Sequence, residues 1–123
     1  MTTTTPDRSV LVVCRSAPYG GSRAHDAIDL AMAFAAFDQP VTLLFLGEGV
    51  FTLSAAQQPP AGTRHLGKLL GTLADYGIED VYVDAAALAT RGLDACSLEL
   101  AATPAHEITL RELFTTHQRV ITV

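Results

Sequence analysis

An α/β fold is predicted, with a parallel sheet covered on both faces, and three observations predict it. Val10-Leu11-Val12-Val13-Cys14 and Val41-Thr42-Leu43-Leu44-Phe45-Leu46 are unbroken apolar runs rich in β-forming residues, the pattern of strands buried on both faces. Segments of helical period alternate with these strands, as in successive βα units. At 123 residues the chain is long enough for one domain and short for two. The expected sheet has five strands, in an order that the sequence leaves open.

Residues 1–8 are polar and threonine-rich and lack the apolar core of a signal peptide, so they read as a short flexible tail before a single domain over 9–123. The Val10 run ends in Arg15-Ser16-Ala17-Pro18-Tyr19-Gly20-Gly21-Ser22, a loop by composition, with Ser22 a candidate N-cap. A helix follows to about Phe37. Ala27, Ile28, Ala31, Phe34 and Ala35 make one apolar face, and Leu30, Ala33 and Phe37 a second. A helix apolar on several sides usually touches more than its own sheet. Asp38-Gln39-Pro40 ends it.

The Val41 run stops at Gly47-Glu48-Gly49. Two glycines allow a sharp turn or a close approach to a neighbour, and Glu48 falls at the carboxyl end of a central strand, the edge where open α/β sheets bind ligands. The plainer reading is a tight turn carrying a solvated acid. Val50, Phe51 and Leu53 then bring apolar groups straight back toward a surface.

Residues 54–62 form a loop with Pro59-Pro60. Leu66, Leu69, Leu70 and Leu73 form the buried stripe of an amphipathic helix over about 63–76, which Gly77 ends. Asp80-Val81-Tyr82-Val83-Asp84 is a third strand, and residues 85–91 a short alanine-rich helix closed by Gly92. Leu98-Glu99-Leu100-Ala101 is the candidate fourth strand. Thr109-Leu110-Arg111-Glu112 has capping-box spacing, which places a helix start there and its end near His117. Arg119-Val120-Ile121-Thr122-Val123 is the last strand.

Charged residues make up only 17% of the chain and apolar residues 49%, against about 25% charged in an average protein. A small domain this poor in charge is expected to hide surface in a partner and to self-associate when alone. A net charge of −5 without a basic cluster argues against direct nucleic-acid binding or a basic membrane patch. No apolar run reaches the length of a membrane-spanning helix. The two cysteines are far apart and have no metal-ligand spacing, which fits a reducing cytoplasm.

Cys14 is the candidate nucleophile. It ends the first strand beside Arg15 and shortly before a helix N-terminus, and both features favour the reactive thiolate. A thiolate there could carry a persulfide. Against this, a free cysteine completing a buried strand behaves as a small apolar residue. Cys96 lies between Asp94 and Glu99, which disfavour a thiolate. Gly20-Gly21-Ser22-Arg23 before a helix could hold an anion, but both glycine-rich phosphate motifs are absent. His25, His65, His106 and His117 occur singly with no metal motif, and no cofactor is expected.

Ala17-Pro18-Tyr19-Gly20, Phe37-Asp38-Gln39, Leu44-Phe45-Leu46 running into Glu48-Gly49-Val50-Phe51, Tyr82-Val83-Asp84, Leu88 and Arg91-Gly92-Leu93 occur in this order. With these pieces the chain resembles the DsrE/DsrF/DsrH sulfur-relay family, and within it the DsrF/TusC type of subunit. The resemblance implies a three-layer α/β/α sandwich with a five-stranded sheet. It implies a cytoplasmic heterohexamer with DsrE/TusD-like and DsrH/TusB-like partners that passes sulfur as a cysteine persulfide, for sulfur oxidation or for 2-thiouridine in tRNA. The relay cysteine belongs to the partners, and neither Cys14 nor Cys96 falls on a family relay motif, so no catalytic residue is carried over. The sequence therefore supports a non-catalytic partner subunit, with Tyr19, Glu48, Gly49 and Phe51 as interface or sheet-edge candidates. The rival is a sulfurtransferase carrying a persulfide on Cys14. A small anion-binding module built on residues 20–22 is more distant.

Overall fold

β1 (Val10–Cys14) has every residue buried because strands flank it on both sides. The computed structural model describes residues 9–17, 23–53, 71–93 and 102–123. Within these, β2 (Val41–Phe45), β3 (Asp80–Asp84), β4 (Thr103–Ala105) and β5 (Arg119–Thr122) complete a sheet in the order β4-β3-β2-β1-β5, parallel throughout. Burial falls away from the centre. β2 is fully buried, β3 alternates, and β4 and β5 are largely exposed. The unbroken apolar runs therefore mark the middle of the sheet, as fully buried strands require.

Strand alternation sends side chains to two separate layers. Val10, Val12, Cys14, Leu43, Phe45, Val81 and Val83 enter the larger core, beneath α1 (Arg23–Ala36) and α2 (Ala85–Thr90). Leu11, Val13 and Leu44 point to the other face, where Leu113 of α3 (Glu107–Thr116) covers them with help from Leu110, Leu46 and Tyr82. The result is the three-layer α/β/α arrangement.

α1 buries Ala24, Ala27, Ile28 and Ala31 against the sheet, Ile28 being the large side chain among three alanines. It ends with Asp38 at φ 60 and with Gln39 N–H donating to the Phe34 carbonyl at 3.2 Å. This is a left-handed cap made by a residue other than glycine. The second apolar face stays open: Phe37 is 75% exposed, and Leu30, Ala33, Phe34, Phe37 and Gln39 line a shallow groove of about 140 Å³.

Three sequence expectations need correction or fall outside the described residues. The candidate strand at 98–101 lies outside them, and the fourth strand is Thr103–Ala105, with Pro104 on the sheet edge. Proline is tolerated there because an edge strand can leave one side of its backbone unpaired. α3 starts at Glu107, two residues before the apparent capping box. His106 is its N-cap with no side-chain hydrogen bond, and the Leu110 N–H reaches the His106 carbonyl at 2.9 Å. Glu107 at the positive helix end, paired with Arg111 at 3.0 Å, replaces the expected reciprocal cap. Of the helix expected over 63–76, residues 63–70 lie outside the described set, and the remainder is a turn followed by a 3₁₀ segment, Leu73–Tyr76. Gly77 ends it as expected, at φ 84, with Leu73 and Ile78 buried on either side.

Candidate functional site at the carboxyl edge of the sheet

Cys14 and Phe45 are register partners, so β1 and β2 finish side by side. The ladder continues one step further: Leu46 N–H donates to the Cys14 carbonyl at 2.9 Å. The chain then tightens into a 3₁₀ segment, Gly47–Leu53, started by the Gly49 N–H to Leu46 carbonyl bond at 2.8 Å. Gly47 adopts φ 52 to make the turn. Val50, Thr52 and Leu53 drop into the core, and Phe51 is half-buried beside them.

Gly49 settles what this edge can do. It lies so close to β1 that an added Cβ would stand 2.3 Å from the Cys14 carbonyl oxygen and 2.9 Å from its carbon. The 3₁₀ segment is thus pressed flat onto the end of β1. Cys14 is fully buried, with Sγ 3.7 Å from the Ser16 carbonyl oxygen. Burial pushes its thiol pKa up, against a smaller opposing contribution from the Ser16 backbone. Arg15 is exposed, just past the end of β1, and among the described residues it forms no hydrogen bond to the sulfur. A covered, protonated thiol lacks both the access and the ionisation that a sulfur nucleophile needs.

Glu48 is exposed, and its Oε2 accepts from Arg91 Nε at 2.6 Å. Arg91 follows α2, and its Nη1 also donates to the Ala87 carbonyl at 3.3 Å. Asp84, at the end of β3, caps α2 by accepting from the Ala86 N–H at 3.1 Å. An ion pair therefore joins the turn after β2 to the helix after β3. Sequence reasoning carried Arg91 only within the Arg91-Gly92-Leu93 piece and not as a site residue, because its partner is 43 positions away.

The structure brings Cys14, Glu48, Gly49 and Phe51 to one edge. Tyr19, the glycine loop at 20–22, His65 and Cys96 lie outside the described residues. His25 sits on α1 with Nδ1 3.2 Å from Asp29 one turn on and 3.9 Å from the adjacent Asp26. His117 acts at the opposite, amino end. Its Nδ1 lies 2.8 Å from the Leu113 carbonyl oxygen, which can only accept, so Nδ1 carries the proton. In the neutral ring Nε2 then accepts from the buried Thr42 hydroxyl at 2.9 Å, pinning the end of α3 to β2. Among the described residues no group of three metal-ligating side chains converges, and no helix is long and apolar enough to cross a membrane.

The DsrE/DsrF-like family profile matches residues 8–123. The chain belongs to this family. A TusC homolog of Pseudomonas aeruginosa is 38% identical over 117 residues, covering 94% of this chain and 98% of that protein. The intracellular sulfur oxidation protein DsrF of Allochromatium vinosum is 40% identical over 80 residues, covering 64% of this chain and 59% of that protein. The crystal structure of the ychN protein from E. coli superposes with a TM-score of 0.83 at 18% identity, covering 94% of this chain and 99% of that one. At that identity the match speaks for the fold, and the shared fold is the five-stranded α/β sandwich.

Proposed function

We propose that this chain, with 9–123 as its single domain, is a non-catalytic subunit of a cytoplasmic sulfur-relay complex. In this reading it joins DsrE/TusD-like and DsrH/TusB-like partners in a heterohexamer, and a cysteine of a partner carries the persulfide. The complex serves sulfur oxidation or tRNA 2-thiouridine synthesis. The observation that carries the reading is the state of Cys14. A relay cysteine has to be reached by donor and acceptor and to ionise near neutral pH, whereas Cys14 is fully buried in the larger core of the sheet with its pKa raised. The rival reading, a persulfide carried on Cys14, would require the core packing over Cys14 to open. The names of the TusC and DsrF relatives support the sulfur-handling role.

The open face of α1 around Phe37, Leu30 and Ala33 supports the assembly part of the reading, since an apolar patch on a charge-poor domain is a docking surface. Expressed alone, the chain self-associates or is poorly soluble. Coexpressed with its two relatives it elutes as one complex, measured by size-exclusion chromatography with light scattering. A chain that stays a well-behaved monomer and ignores both relatives contradicts the subunit role.

A further inference from the structure

We draw no further inference here: the strongest candidate, the polar groove of about 360 Å³ between α3 and the amino halves of β2 and β3, lined by Asp80, Tyr82, Glu112 and His117 among others, carries nothing, because its two carboxylates are exposed and nothing in the structure shows what would occupy it.

Discussion

Replacing Gly49 by alanine drives a methyl group into the backbone of β1. The new Cβ stands 2.3 Å from the Cys14 carbonyl oxygen, 2.9 Å from the carbonyl carbon and 3.4 Å from the Arg15 Cα. Reaching ordinary contact distance requires a shift of roughly 1 Å. Neither side yields easily: the Leu46 and Gly49 N–H bonds hold the turn, and β1 is clamped between β2 and β5. Overpacking typically costs about 1–3 kcal/mol, and a clash with backbone rather than a movable side chain belongs at the upper end. For a domain of this size about 3 kcal/mol lowers Tm by roughly 9–15 °C. The φ of Gly49 is not in the left-handed region, so the whole cost is steric. The same displacement loosens the end of β1 that carries Cys14. Thermal unfolding followed by circular dichroism, with the alkylation rate of Cys14, reads both effects: Tm falls and alkylation accelerates. A Tm within about 2 °C of wild type and an unchanged alkylation rate would refute the account of this edge.

Three further outcomes are expected. Burial keeps Cys14 protonated where an unfolded thiol, with a pKa of about 8.5, has lost its proton; the native state then binds more protons, so stability falls as pH rises from about 8.5 through the folded pKa. Urea unfolding at pH 7.5 and 9.5 checks this, the loss being absent in Cys14→Ala. Asp38→Gly relieves the left-handed backbone at φ 60 and raises stability by about 0.5–1 kcal/mol, seen as a higher urea midpoint at unchanged slope. Phe51→Ala, at a half-buried position, weakens the complex by about 2 kcal/mol or more if the ring anchors a partner; comparing the Kd of the complex with the Tm of the subunit separates this from the loss of a core side chain, which would lower Tm with Kd unchanged.

Most of the sheet was legible because the signal was burial. β1 and β2 sit at the centre, and only an unbroken apolar run satisfies neighbours on both sides. β3 and β5 kept enough β-branched residues to be found despite lower burial. β4 was not legible. Thr103–Ala105 has no alternation and contains a proline, and it is a strand only because β3 pairs with it. The start of α3 was missed because a Thr…Glu spacing is a local signal, whereas the helix took the exposed His106 as its N-cap instead. At the site, the sequence showed two glycines able to approach a neighbour but not which neighbour. Gly49 and Cys14 are 35 residues apart along the chain, and they meet because β1 and β2 end in register. The same holds for Arg91 and Glu48, and for His117 and Thr42: each pair is made by topology, and the residues alone carry no mark of it.

Persulfide loading of the reconstituted complex tests the central claim, that this chain shapes a sulfur relay without carrying the sulfur. The complex is incubated with a persulfide donor, and each intact subunit is weighed by mass spectrometry, for wild type and for Cys14→Ser. The account predicts a mass gain of one sulfur atom on the DsrE-like partner and none on Cys14, with sulfur transfer by the Cys14→Ser complex within a few-fold of wild type. A stable gain of one sulfur on Cys14, together with loss of transfer in Cys14→Ser, would contradict it.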